Sequence, residues 1–113
     1  MDEFQKKFLE EASDLIQELE EALLELEKSP HDKSITEQVF RVMHSLKGGG
    51  AMFGFERVSE FTHNLENLYD KVRSGHMQVT RELLDVTLQA VDHIKVLLDK
   101  ENDEREDVQN HHA

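Results

Sequence analysis

The chain has 113 residues, of which 25 are acidic and 13 basic, giving a formal net charge of −12 at pH 7. A chain of this length can bury one modest hydrophobic core, so we expect a single domain. Because polyanions are repelled by such a surface, the composition argues against binding nucleic acid or an anionic membrane. The sequence contains no cysteine, which excludes a disulfide framework, a thiolate metal site and a cysteine nucleophile.

The sequence has neither a membrane-spanning pattern nor a secretory signal. No apolar run reaches the roughly 18–20 residues that cross a bilayer. The acidic start, residues 1–4, differs from the basic start of a signal peptide. We therefore expect a cytoplasmic protein without membrane insertion.

The first predicted helix begins at Phe4, and its apolar residues recur at alternating spacings of four and three. This spacing is typical of an amphipathic helix. Since Ser29-Pro30 disfavours continuation of a helix, we predict its end near Lys28. The predicted inward-facing residues are Phe8, Ala12, Leu15, Leu19, Ala22 and Leu26.

The second predicted helix opens with Ser34 and Glu37, a capping-box pattern in which the two residues satisfy free backbone amides reciprocally. Gly54 is suited to end this helix as a left-handed cap. The predicted inward-facing residues are Ile35, Val39, Val42, Leu46 and Phe53.

Two further helices are predicted, from Glu56 to Ser74 and after an N-cap at Thr80. From Glu101 the chain is polar and acidic without apolar periodicity, so we predict a domain of residues 1–100 and an acidic tail or linker of residues 101–113. Short connections between four helices predict an all-α fold, an antiparallel up-down-up-down four-helix bundle. A frayed or additional helical segment at its C-terminus stays open. The inward-facing residues predicted for these two helices are Val58, Phe61, Leu65, Leu68 and Val72, then Leu83, Leu84, Thr87, Ala90, Val91, Ile94, Leu97 and Leu98.

A histidine one turn before three consecutive glycines, Gly48–Gly50, is the most unusual feature of the second helix. Each helical glycine is less favourable than alanine by about 0.8–1 kcal/mol. At about 100° per residue, His44 lies roughly 170° from the apolar stripe, with Gly48 and Ala51 beside it. Small residues there let a partner approach His44. The pattern predicts a reactive or ligand-binding imidazole.

The turn at Gly54 also predicts which residues of the third helix lie level with His44. Residues equidistant from the turn of a helical hairpin share a height, which pairs His44 with Glu66 and Lys47 with His63. A carboxylate that accepts the proton of one imidazole nitrogen makes the other nitrogen a better nucleophile. A nearby lysine suits a phosphoryl group. His63 is the weakest member, because the helical wheel turns it outward.

The parts needed to bind ATP are missing from the sequence, which has no phosphate-binding loop and no evident carboxylate cluster for Mg²⁺. We therefore expect no cofactor in this domain, with nucleotide presented by another domain. The other histidines are interpreted as solvated surface: His31, His76, His93, His111 and His112.

The run from His44 to Gly54, His-Ser-Leu-Lys-Gly-Gly-Gly-Ala-Met-Phe-Gly, resembles the His-x-x-Lys-Gly-x-x-x-x-x-Gly signature of histidine-phosphotransfer (HPt) domains. Phe40-Arg41-Val42-Met43 and the segment 63–68 are similar to the chemotaxis-kinase branch of that family. The resemblance covers about residues 4–100. It departs at Gly49-Gly50, where other small residues are commoner.

The resemblance implies a phosphocarrier domain of a two-component, chemotaxis-type histidine kinase that is not an enzyme by itself. It implies that His44 is phosphorylated, that Glu66, Lys47 and His63 form its hydrogen-bonded surroundings, and that Gly48 marks the partner's approach. It implies two partners: a kinase catalytic domain that carries ATP and Mg²⁺, and response-regulator receiver domains whose aspartate accepts the phosphoryl group.

Three alternatives remain open at this point. They are a stand-alone or hybrid-kinase HPt phosphorelay intermediate, a structural helical interaction module, and a metal-binding helical bundle. The metal alternative is suggested by the Glu-x-x-His pair of Glu60 and His63, but di-iron sites need two such pairs and two further glutamates.

Overall fold

In the computed structural model the chain folds into four helices, and the structure describes residues 2–112 and the side chains of residues 2–104. The helices are α1 (Glu3–Lys28), α2 (Lys33–Met52), α3 (Glu56–Arg73) and α4 (Arg81–His112). Each helix packs against its neighbours in sequence and α4 packs against α1, while the diagonal pairs have no Cα atoms within 8 Å of each other in the described part of the chain. The predicted all-α, antiparallel four-helix bundle is confirmed.

The core contains one inward arc from each helix, and this arc is wider than the predicted stripes. Ile16, Met43 and Tyr69 are buried although they lie outside those stripes. Several predicted positions, among them Leu15, Phe61 and Leu68, are only half-buried. Every helix packs against two of the other three helices. Both sides of its apolar stripe are therefore covered.

The predicted capping box of α2 is wrong, because the N-cap is Asp32. Its Oδ1 accepts hydrogen bonds from the Ser34 amide at 2.9 Å, the Ile35 amide at 3.4 Å and the Ser34 hydroxyl at 2.6 Å. These bonds, above all that of the Ser34 hydroxyl, lower the pKa of Asp32. Aspartate at an N-cap is as favourable as serine, and Asp32 comes first along the chain. Glu37 pairs with Arg73 instead.

The glycine cap predicted at Gly54 and the N-cap predicted at Thr80 are both confirmed. Gly54 and Gly75 have positive φ angles of 83°, as left-handed residues after a helix require. The Thr80 hydroxyl accepts a hydrogen bond from the Leu83 amide at 3.1 Å and so caps α4. None of the helices, over the residues described, is both long and apolar enough to cross a membrane.

Two of the three glycines of α2 serve packing. A Cβ on Gly49 would lie 2.5 Å from Cε1 of Phe8, which belongs to α1. A Cβ on Gly50 would lie 3.1 Å from the carbonyl oxygen of Phe55 and 3.3 Å from the amide nitrogen of Ser59. The bare backbone therefore lets both neighbouring helices approach α2 closely.

Helix α4 continues past the domain boundary that we predicted after residue 100. Glu101 is buried, and its Oε1 accepts hydrogen bonds from the backbone amides of Arg57 at 2.7 Å and Val58 at 3.2 Å. These amides open α3, whose own N-cap, Phe55, offers no side-chain acceptor. Residues 101–104 thus belong to the helix that packs on the bundle. Residue 113 lies outside the described residues.

Candidate functional site

A three-residue cluster lies at the surface of the groove between α2 and α3. Oε2 of Glu66 lies 2.7 Å from Nδ1 of His44, and Oε1 of the same carboxylate accepts a hydrogen bond from Nζ of Lys47, also at 2.7 Å. The Glu66 side chain is 9% exposed, whereas that of His44 is 64% exposed. One buried carboxylate thus holds two residues that lie one turn apart on α2.

The structure brings together three of the four polar residues that the hairpin register predicted. His44 and Glu66 are level and bonded, as predicted. Lys47 bonds to Glu66 and not to His63, which is exposed and makes no hydrogen bond or ion pair with the described residues. His63 therefore drops out of the cluster, because its direction on α3 is about 60° from that of Glu66 and away from α2.

Glu66 is the electrostatic centre of the cluster. Burial raises the pKa of Glu66, but the hydrogen bonds and charges of Lys47 and His44 outweigh burial, and the net pKa lies below its ordinary value. The ionised carboxylate can only accept, so Nδ1 of His44 carries the proton that it donates. Nε2 makes no hydrogen bond with any described residue. A neutral imidazole with this tautomer presents the Nε2 lone pair to solvent.

The two helices are held in register beside the cluster by a hydrogen bond that the sequence did not point to. The Ser59 hydroxyl donates to the carbonyl oxygen of Lys47 at 2.9 Å. Ser59 also lies against Gly50, where a Cβ would come within 3.3 Å of the Ser59 amide nitrogen. A small hydroxyl residue opposite a helical glycine is the signal that identifies this contact in a sequence.

The outer face of α2 beyond His44 is open. A Cβ on Gly48 would meet no atom within 4 Å, and Ala51 is exposed. Met52, on the next turn, is 77% exposed. Because Gly48 has no side chain and that of Ala51 is small, a protein surface can reach His44 along this face of α2.

An aromatic ring also lies against the imidazole. The ring centroids of Phe40 and His44 are 6.3 Å apart, with 18° between their planes. The guanidinium carbon of Arg73 lies over the Phe40 ring, 3.7 Å from its centroid. No role was predicted for either residue, although an aromatic residue four positions before a candidate nucleophile is a signal that a sequence shows.

Among the side chains of residues 2–104, no three His, Asp or Glu residues are grouped so that they could hold a metal ion. Glu60 and His63, the pair that suggested the metal alternative, are both exposed on α3.

Known proteins are similar to this chain over nearly its whole length. The model of the Hpt domain family matches residues 3–104. The chemotaxis protein CheA of Bacillus subtilis (strain 168) is 37% identical over 98 residues, covering 87% of this chain and 15% of the relative. The chain thus spans about 15% of the length of this curated relative.

Solved structures agree with this result. The CheA phosphotransferase domain from Thermotoga maritima is 38% identical, with a TM-score of 0.82, covering 87% of this chain and 93% of that one. The phosphorylated P1 domain of CheA3 from R. sphaeroides, solved in complex with CheY6, has the same fold. It is 24% identical with a TM-score of 0.84, covering 93% of this chain and 82% of that one.

Proposed function

The chain belongs to the Hpt domain family, homologous to the phosphotransfer domains of CheA, and from this we propose that His44 carries the phosphoryl group. The observation that supports His44 is its hydrogen bond to Glu66, which leaves Nε2 as the free, exposed nitrogen. Family membership gives phosphotransfer as the function, and the hydrogen bond supports Nε2 as the atom that would carry the phosphoryl group.

The chemistry that we propose uses Nε2 as the nucleophile. Its lone pair attacks the γ-phosphorus of ATP, a nitrogen–phosphorus bond forms, and the bond from phosphorus to the β,γ-bridging oxygen breaks to release ADP. The imidazole gains positive charge while its proton stays on Nδ1. Glu66 stabilises that charge across the 2.7 Å hydrogen bond. In the return step an aspartate oxygen attacks phosphorus, and the nitrogen–phosphorus bond breaks.

Lys47 has two proposed tasks. Its ammonium group partly neutralises the charge of the buried Glu66 carboxylate. It also lies one turn from His44, where its positive charge favours an incoming or bound phosphoryl group. Its side chain is 25% exposed, so it is accessible from the outer face of the groove.

We propose that this domain is not an enzyme by itself. ATP and Mg²⁺ would be supplied by a kinase catalytic domain, and an aspartate of a receiver domain would accept the phosphoryl group. The P1 domain of CheA3 forms a complex with CheY6, which motivates a protein partner at this fold. We propose a cytoplasmic location. The similarity to CheA favours a chemotaxis-type kinase over the alternative, a stand-alone or hybrid-kinase phosphorelay intermediate.

The test is phosphorylation by a CheA-type kinase catalytic domain with ATP and Mg²⁺. The chain should gain one phosphoryl group that is labile in acid and stable in base, measured by intact mass. The variant His44→Gln should remain unlabelled. The matched control is His93→Gln, an exposed histidine on α4, the helix diagonal to α2, and it should label as the parent does. Full labelling of His44→Gln would overturn the assignment.

A further inference from the structure

Building on the proposed function, we propose that Phe40 is a positioning residue for phosphoryl transfer. Its ring lies beside the His44 imidazole, nearly parallel to it, and, together with Glu66, restrains the direction of Nε2. The centroid distance of 6.3 Å and the interplanar angle of 18° describe an offset stack. Such distances fall within the range of about 4.5–7 Å over which aromatic rings attract each other.

The hydrogen bond to Glu66 alone does not fix the orientation of the imidazole ring. It fixes Nδ1, but the side chain is 64% exposed, and the torsion that turns a histidine ring has broad minima. The ring can then tilt while Nδ1 stays bonded, and each tilt swings Nε2 away from its line of attack. Because the attacking and leaving atoms must lie roughly in line, a second contact that restrains the imidazole ring raises the rate.

Phe40 is itself held in place from the neighbouring helix. The guanidinium group of Arg73 on α3 lies over the Phe40 ring at 3.7 Å. Arg73 in turn bonds to Asp70 at 2.8 Å and to Glu37 at 3.1 Å, so it is anchored to both α3 and α2. Arg73 on α3 therefore restrains the Phe40 ring, which in turn lies beside the His44 imidazole.

A pair of phosphoryl donors of different size tests the proposal. A kinase catalytic domain docks in one orientation, so its reaction depends on where Nε2 points. Phosphoramidate, a small donor, rotates freely and depends little on that direction. In Phe40→Leu we expect kcat with the kinase domain to fall about 3- to 10-fold, with KM unchanged. The rate with phosphoramidate should change little, and Phe40→Tyr, which keeps the ring, should restore kcat.

The matched control is Phe61→Leu. Phe61 is also half-buried and also contacts a histidine ring, that of His93 at 4.7 Å, but on the α3–α4 side of the bundle. It should leave both rates unchanged. A parental kcat in Phe40→Leu would overturn the proposal. So would a change confined to KM, since Phe40 would then be a contact with the partner.

A spectroscopic measurement separates this proposal from the proposed function. In NMR spectra of the unphosphorylated chain, the ring current of Phe40 should shift the His44 ring protons. That shift should persist in Phe40→Tyr and disappear in Phe40→Leu. Should neither donor phosphorylate the parent chain, the proposed function fails. The His44 shifts then still decide the positioning claim, and identical shifts in the parent and Phe40→Leu would overturn it.

Discussion

At the scale of single residues, the site is organised by one carboxylate. Glu66 fixes the tautomer of His44, holds Lys47 and remains ionised because its hydrogen bonds outweigh the effect of burial on its pKa. A carboxylate of this kind adds to stability as well as to reactivity. Changes at Glu66 should therefore be visible in the phosphorylation rate and in the pH dependence of folding.

We expect Glu66→Gln to slow phosphorylation about tenfold, because a neutral amide stabilises the charged imidazole less than a carboxylate does. It should also lower the free energy of unfolding at pH 7 by about 1–2 kcal/mol. Since the native pKa of Glu66 lies below its ordinary value of 4.5, this stabilisation is complete above that value and is lost as the pH falls through the native pKa. Denaturation from pH 7 to pH 3 should show the parent and the variant converging.

The matched control is Glu60→Gln, an exposed glutamate on the same helix. It should change neither the rate nor the pH profile. An unchanged phosphorylation rate in Glu66→Gln would remove Glu66 from the mechanism.

At the scale of secondary-structure elements, the three consecutive glycines of α2 lie in three different environments. Gly48 faces open space, Gly49 faces a ring of α1, and Gly50 faces the backbone of the hairpin and α3. The low helix propensity of the triplet is therefore offset at two positions by close packing. At Gly48 no packing contact offsets the low helix propensity. The absence of a side chain there leaves the approach to His44 free.

We expect Gly48→Ala and Gly49→Ala to have opposite effects on stability. Alanine at 48 should stabilise the fold by about 0.8–1 kcal/mol through helix propensity. Alanine at 49 should destabilise it by about 1–2 kcal/mol, because the new Cβ displaces the ring of Phe8. That ring already packs on Phe53 and Phe55 at centroid distances of 5.6 and 5.2 Å. Chemical denaturation measures both effects, and a shared sign would contradict the glycine assignments.

At the scale of the whole molecule, the bundle is elongated, with extents of 52 × 21 × 20 Å. Helix α4 links its two ends. Near its start, Thr87 receives a hydrogen bond from the buried hydroxyl of Tyr69 at 2.7 Å. Fourteen residues later, roughly 21 Å along the axis, Glu101 caps the first turn of α3. The site helix α3 is thus fastened to α4 on both sides of Glu66.

We expect Glu101→Ala to lower the free energy of unfolding by about 1–2 kcal/mol, because two amides at the start of α3 lose their acceptor. Hydrogen exchange should show the largest loss of protection at Arg57 and Val58. The control is Glu104→Ala, which removes only an exposed ion pair with Arg57 and should cost less than about 0.5 kcal/mol. Equal effects of the two changes would argue that the fold ends at residue 100.

The sequence alone determined the number of helices, their order, the glycine caps and the pairing of His44 with Glu66. These features follow from local periodicity, and an antiparallel hairpin with a short turn has one register. Tertiary structure decided the partner of Lys47, the exclusion of His63, the stacking of Phe40 and the capping by Glu101. Those contacts depend on side-chain reach and on the angle between helices. Helical periodicity fixes neither, because it gives the direction of each side chain about its own axis only.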